Sequence, residues 1–265
     1  MPDGSGTNEA ILLRDDRDGI CTLTLNRPER RNPLSTAMLS ALQDQFDAIA
    51  KDKSVRVVVI AANGPVFSSG HDLKEMRADS SYDAIHALFQ QCSRMMTTIT
   101  QMPQPVIARV HGIATAAGCQ LVAACDLAVA ADTARFGTPG VTNGLFCSTP
   151  MVALTRAVGR KAAMEMLLMG ELVDANTALR FGLVNRVVPT EKLDETVAEF
   201  AESIAGRSTL TISTGKGAFY KQMEMDLVEA YDFTSDIMAR NMQAHDAQEG
   251  IDAFLQKRPP EWQDR

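Results

Sequence analysis

Two short stretches of this chain have the composition of a site that stabilises negative charge with main-chain groups. Residues 112–118 (GIATAAG) contain only Ile113 and Thr115 as residues larger than alanine, so the atoms of another molecule can approach the backbone closely there. A β-branched, aliphatic run at 106–110 precedes them and reads as a buried strand. A compact apolar run at 119–125 follows and suits a helix. Such a junction leaves peptide N–H groups free at the helix start, where the helix dipole adds partial positive charge. Residues 55–77 repeat this grammar, with a strand (VRVVVIAA), a turn-rich loop (NGPVFSSG) and a polar helix start (HDLKEMR). Either junction alone is explained by close packing. Together, the two turns could aim one N–H apiece at a single oxygen, as in an oxyanion hole.

Further groups could serve the same centre. Arg30 and Arg31 lie in the loop NRPERRNP and are either a solvated turn or, if other basic groups converge, a contact for phosphate. Residues 135–150 form a long loop carrying Thr138, Asn143, Cys147 and Ser148, and loops of that length are functional or disordered. Its scattered apolar residues favour an ordered pocket wall. Cys147 competes with the reading of a buried structural thiol, and His111 at a strand end with that of a core histidine. The five cysteines contain no CxxC pair, so they read as reduced thiols and give no metal site. GIATAAG lacks dinucleotide-binding spacing, and no P-loop is present.

The elements that must position these groups follow from patterning. Strands are expected at 19–25, 55–62, 106–110, 126–132 and 183–188. Helices are expected at 36–50, capped by Ser35, then at 82–100, as a pair around Gly159 over 151–169, and at 175–181, stopped by Gly182. From 190 onward only helices follow, at 193–204, 215–231, 233–245 and 251–257. The chain therefore divides into an α/β core, 1–205, and a helical region, 206–265. A net charge of −7 argues against nucleic acid as a partner but leaves an anionic ligand possible where basic groups cluster. No apolar run reaches membrane-spanning length. The first ten residues have neither signal-peptide nor transit-peptide character, so a cytoplasmic location is expected.

The segments FSSGHDLKEM (67–76), PVIARVHGIATAAGCQLVAACD (105–126), ARFGTPG (134–140), LTRAVGRKAAMEMLLMGELVDANTALRFGLVNRVVP (154–189) and EGIDAFLQKRPP (249–260) resemble the crotonase, or enoyl-CoA hydratase/isomerase, superfamily. The match runs in order over nearly the whole chain. The wording SSGHD and AAGCQL is most similar to the subgroup called enoyl-CoA hydratase domain-containing protein 3. The resemblance implies an α/β spiral of ββα turns with a C-terminal helical region that trimerises, giving a homotrimer or hexamer. It implies no permanently bound cofactor, and a coenzyme A thioester as substrate or ligand. The thioester oxygen would be held by the main-chain N–H groups of His71 and Ala117. By the same resemblance, Arg30 and Arg31 fall where relatives touch pantetheine and phosphates, and Lys74 falls near the adenine. Phe254 and Lys257 fall where the terminal helix reaches the coenzyme.

The resemblance places the two glutamates of the hydratases at Gln120 and Gly140. An amide is a poor proton acceptor and glycine has no side chain. General acid–base catalysis contributes about 10² to 10⁴ in rate, so hydration is expected to be weak or absent. Each oxyanion donor, worth roughly 10² to 10³, would be kept. The alternatives are an acyl-CoA decarboxylase or thioesterase on the same scaffold, or a non-catalytic acyl-CoA binder. The GHD wording is shared with a methylmalonyl-CoA decarboxylase of the superfamily, and Cys147 falls at about the place of that enzyme's polar loop residue.

Overall fold

After an opening hairpin in the larger sheet, three successive passes of the chain each lay one strand in each of two sheets. The computed structural model describes residues 10–265. In order, the elements are β1 (Leu12–Arg17), β2 (Ile20–Leu25), α1 (Thr36–Ile49), β3 (Val57–Ala62), β4 (Val66–Ser68), α2 (Leu73–Ala78), α3 (Tyr82–Gln101), β5 (Val106–Val110), β6 (Ile113–Thr115) and α4 (Ala117–Ala124). They continue with β7 (Leu127–Ala131), β8 (Arg135–Gly137), α5 (Pro150–Ala157), α6 (Arg160–Met169), β9 (Val173–Asp174), α7 (Ala175–Phe181), β10 (Arg186–Val188), α8 (Leu193–Ala205), α9 (Thr209–Gln222), α10 (Leu227–Met242) and α11 (His245–Gln256). The large sheet has the order β1-β2-β3-β5-β7-β10 and the small one β4-β6-β8-β9. Strands β3, β5 and β7 run parallel, as do β4, β6 and β8. Each ββα pass, β3 with β4, β5 with β6 and β7 with β8, thus advances both sheets by one strand, which is the expected spiral.

The central strands β3 and β7 of the large sheet are covered on both faces and are accordingly apolar without alternation. Val58, Ile60, Val106, Ala108 and Val110 face the main core with Leu39, Leu42 and Phe46 of α1 and Cys92, Met95 and Ile99 of α3. Val57, Val59, Ile107 and Val129 face the other way, under Leu193, Val197 and Ala201 of α8. Ser35 caps α1 by accepting from Met38 N. Gly182, at φ +88°, ends α7.

Some elements depart from expectation. Strand β1, whose residues LLRDDR are mostly exposed, pairs antiparallel with β2 through a turn with positive φ at both Asp18 and Gly19. The helix expected at 215–231 is two helices, because Asp226 caps α10 by accepting from Val228 N and Glu229 N. The small strands β4, β6 and β8, each of three residues, lie where turn or loop was expected.

The C-terminal helices dock on the core through a buried polar knot. Lys216 Nζ donates to Ile99 O at 2.7 Å, Gln104 O at 2.8 Å and Asp126 Oδ2 at 2.7 Å. Asp126 also accepts from Val106 N and from the Tyr220 hydroxyl. One side chain therefore joins α9 to the end of α3, the approach to β5 and the residue before β7. At the far end Asp246, fully buried, accepts from Gln263 N and Asp264 N and fastens the last residues beside Gly206, whose carbonyl accepts from Trp262 Nε1.

Candidate active site

The carboxyl ends of β4, β6 and β8 lie side by side, with Ser68 opposite Ala114 and Thr115 opposite Gly137. Neighbouring strands are about 4.8 Å apart, so the turns that leave them, at 69–71, 116–117 and 138–140, converge. Ligands of open α/β sheets bind at such strand ends.

Each turn is built for close approach. Gly70 has φ +84°, and a Cβ placed on it would lie 3.0 Å from Ala117 N and 2.9 Å from Ala116 Cβ. A Cβ on Gly118 would lie 2.4 Å from Ser68 O. The two turns singled out in the sequence therefore touch. Ala116 takes φ 49° and ψ −118°, a conformation that costs a non-glycine residue about 1–3 kcal/mol, and its N–H is held by Gly137 O at 2.9 Å. This geometry starts α4 at Ala117. Among the described residues, neither His71 N nor Ala117 N has a hydrogen-bond acceptor.

The loop at 26–34 braces this arrangement, and its key residue escaped sequence reasoning. Asn32 is fully buried at φ 50°. Its Nδ2 donates to Asn63 O and Val66 O, both at 2.8 Å, and its Oδ1 accepts from Arg27 N. Ser68 Oγ donates to Asn32 O, Ser69 N to Arg31 O and Leu34 N to Gly70 O. The only sequence signal was the Asn-Pro pair of a turn; the partners lie more than thirty residues away.

His71 and Gln120, beside the strand ends, carry uncharged side chains. The His71 ring stands edge-on to Phe89 at 5.3 Å, and its Nε2 is sealed without a partner. Burial lowers its pKa from 6.5 to about 4, against a small opposing pull from Glu75, so the imidazole is neutral at pH 7. Gln120 is 4% exposed, with Oε1 buried and unpartnered. Gly140 offers no room for a side chain, because a Cβ there would lie 2.5 Å from Leu145 O and 2.7 Å from Cys147 Sγ.

Cys147 is buried, and burial raises its pKa although the Gly140 backbone partly offsets this. Its Sγ packs beside Gly140, so Cys147 sits here as an unactivated thiol. Two suggested neighbours have their side chains engaged elsewhere. Thr138 is buried and donates to Met166 O, while His111 Nε2 bonds Gly64 O at 2.6 Å on the opposite face of the large sheet. There it lines a groove of about 950 Å³ between the sheet and α8, with Arg109, Asp194 and Val197. That groove contains none of the strand-end residues.

A sequence profile of the enoyl-CoA hydratase/isomerase family matches residues 15–265. The chain belongs to that family. It is 52% identical over 245 residues to human enoyl-CoA hydratase domain-containing protein 3, mitochondrial, covering 92% of this chain and 81% of that one. The protein of the same name from Rattus norvegicus is 49% identical over 261 residues, covering 98% and 87%. A crystal structure of an enoyl-CoA hydratase from Mycobacterium smegmatis superposes with a TM-score of 0.94 at 54% identity, covering 96% of this chain and 99% of that one.

These relatives bear out the crotonase superfamily and the subgroup, and they overturn one expectation. The rat, mouse and human proteins are all named mitochondrial, so a cytoplasmic location is withdrawn. Amino-terminal composition was too weak a signal for it.

In this family member the residues expected to meet the coenzyme divide into two groups. Arg30 Nη2 donates to Asp72 Oδ2 at 2.6 Å, and Asp72 caps α2 by accepting from Lys74 N. Arg30, Arg31 and Lys74 are thereby gathered beside the turn that presents His71. Phe254 and Lys257 are not brought there within one chain. Helix α11 packs on α9 and α10, Phe254 is 82% exposed, and no hydrogen bond or ion pair among the described residues joins either residue to the strand ends.

Proposed function

We propose that this protein binds an acyl-CoA thioester with the thioester carbonyl oxygen held between His71 N and Ala117 N. The observation that carries this reading is the contact between the two turns, which brings together main-chain amides that have no acceptor of their own. Donors fixed in advance at a site of developing negative charge are worth most where water is excluded. The neighbouring basic residues Arg30, Arg31 and Lys74 suit the phosphates of the coenzyme. The pantetheine arm then runs between α2 and the loop at 26–34.

Hydration is not the reaction this site favours. Gln120 and Gly140 stand where the family's glutamates are expected, and neither can take a proton from water. The thiol of Cys147 is raised in pKa, so no activated thiolate replaces them. The scaffold keeps binding and carbonyl polarisation while acid–base work is reduced.

Assembly completes the reading. Helices α9 and α10 have no buried residue, and they expose Phe219, Leu227, Val228, Tyr231 and Met238. A patch of this kind marks a protein interface, and a trimer or hexamer of this chain is the occupant. Phe254 and Lys257 would then reach the coenzyme bound to a neighbouring copy.

Titration calorimetry with acetyl-CoA and crotonyl-CoA tests the binding. Saturable heat at sub-millimolar ligand is expected, and no heat at millimolar ligand refutes the reading. Loss of crotonyl-CoA absorbance tests the chemistry, where turnover in the usual range for a hydratase would show that another group does the work of the glutamates.

A further inference from the structure

The two amides proposed above to hold the thioester oxygen each belong to a peptide unit whose other end is anchored. A peptide is rigid and planar, with its N–H directed opposite its C=O, so fixing the carbonyl aims the amide. In the Ala116-Ala117 peptide the carbonyl accepts from Gln120 N at 3.0 Å, the hydrogen bond that opens α4 and is part of its regular pattern. In the Gly70-His71 peptide the carbonyl accepts from Leu34 N at 2.8 Å, which belongs to a distant loop. That second anchor depends on residues 68–70 being held against residues 31–34, and one side chain makes the junction. Ser68 is fully buried. Its Oγ donates to Asn32 O at 2.9 Å and accepts from Gly70 N at 3.3 Å. A Cβ on Gly118 would lie 2.8 Å from Ser68 Cβ and 2.9 Å from Ser68 Oγ, so the same side chain also rests on the first turn of α4. The pairing of β4 with β6 is irregular between Val66 and Ser68, and a bulge beside an active site re-aims a side chain.

We infer that Ser68 is a positioning residue, whose hydroxyl fixes the Gly70-His71 peptide and through it the grip of His71 N on the thioester oxygen. The inference rests on the binding reading proposed above. Ser68 itself is sealed between the loop at 26–34 and α4 and acts only through its neighbours. Both peptides that flank Gly70 are held, the earlier one by Ser68 Oγ through Gly70 N and the later one by Leu34 N through Gly70 O. Gly70 has φ +84° and no side chain of its own to restrain rotation there, so these bonds set the direction of the donor. They also run in series, because Gly70 N donates to a hydroxyl that in turn donates to Asn32 O, and hydrogen bonds in a chain polarise one another. Loss of the hydroxyl takes this partner from Gly70 N and Asn32 O. Ser69 N on Arg31 O and the Asn32 amide on Asn63 O and Val66 O remain, so the turn still folds but its amide is no longer closely aimed, and small misplacements at a reacting centre have large effects.

The test compares acetyl-CoA with S-ethyl-CoA, a thioether of the same length that lacks the carbonyl oxygen, by calorimetry on the full chain. Wild type is expected to bind the thioester about tenfold or more tightly, because the thioether leaves two donors unpaired. In Ser68→Ala that ratio is expected to fall to within about threefold. The infrared carbonyl stretch of bound acetyl-CoA, isotope-labelled at the carbonyl carbon, is expected to move back toward its frequency in solution. Ser208→Ala removes another buried hydroxyl, the cap of α9 that accepts from Thr211 N, and is expected to lower stability with the ratio unchanged. Replacement of Leu34 by its α-hydroxy acid spares every side chain, deletes the N–H that holds Gly70 O, and is expected to lower the ratio as Ser68→Ala does. The inference is overturned by folded Ser68→Ala with the wild-type ratio and carbonyl frequency, by an equal loss of the ratio in Ser208→Ala, or, should Ser68→Ala not fold, by a Leu34 ester that keeps the ratio. Equal affinity of wild type for thioester and thioether overturns it together with the binding reading beneath it.

Discussion

Replacing Gly70 with alanine puts a methyl group where the two turns meet. At φ +84° the new Cβ would sit 2.9 Å from Ala116 Cβ and 3.0 Å from both Ala117 N and Thr115 O, and two of those three atoms belong to backbone that cannot swing aside. The left-handed conformation alone costs alanine about 1–2 kcal/mol. Relief of the contacts requires the turn to move by a few tenths of an ångström, and small misplacements at a reacting centre have large effects on rate and binding. Gly182→Ala provides the comparison, since Gly182 has φ +88° but its nearest prospective contact is Ala157 O at 3.5 Å. Gly182→Ala is expected to lose about 1–2 kcal/mol in urea denaturation, and Gly70→Ala more, because crowding at its contacts adds about 1–3 kcal/mol. Only Gly70→Ala is expected to lose acetyl-CoA affinity, by about tenfold or more, the worth of a charge-stabilising donor displaced from its aim. Folded Gly70→Ala that binds acetyl-CoA as wild type does would refute the placement of the thioester oxygen between these turns.

Three further outcomes follow from the geometry. Lys216→Met leaves the buried Asp126 carboxylate and two carbonyls without their cation, and a loss of about 3–5 kcal/mol in denaturation is expected; a loss below 1 kcal/mol would mean that the pair is solvated. His71 has its pKa depressed from 6.5 to about 4 on folding, so its contribution is complete above pH 6.5 and disappears as pH falls toward 4, worth about 3 kcal/mol. Denaturation midpoints between pH 7 and pH 4.5 should fall more steeply in wild type than in His71→Gln, and parallel slopes would contradict this. Gly140→Glu must displace Leu145 O and Cys147 Sγ, so it is expected to lower the melting temperature and speed alkylation of Cys147 by iodoacetamide. An unchanged melting temperature with an unreactive thiol would show that the loop yields freely.

The sequence revealed those parts of the fold that rest on local chemistry. Ser35 and Gly182 mark helix ends because a hydroxyl cap and a left-handed glycine act within one turn of chain. Val106–Val110 was legible because a strand buried on both faces is mostly apolar, here with Arg109 alone charged. The small sheet was not legible. Three residues are too few to display a period, and Val66–Ser68, Ile113–Thr115 and Arg135–Gly137 are strands only because they pair with one another. Strand β1 hid for another reason. Its charged residues face solvent, and the Asp18-Gly19 hairpin signal was overlooked. At the site, the Gly-containing turns could be found but not their contact, which depends on how far two strands sit apart. Asn32 and Asp72 were missed as braces because their partners, Asn63, Val66 and Arg30, are close only after folding.

The knot at Lys216 also bears on how the chain matures during synthesis. When a ribosome has released the first two hundred residues, the large sheet can pair, yet Asp126 has neither its cation nor the Tyr220 hydroxyl, and the Ile99 and Gln104 carbonyls await a donor. Only after α9 emerges does the ammonium arrive to satisfy them. The late helices therefore close the nascent spiral, and a chain stalled before Lys216 would expose an unfinished seam to chaperones and proteases.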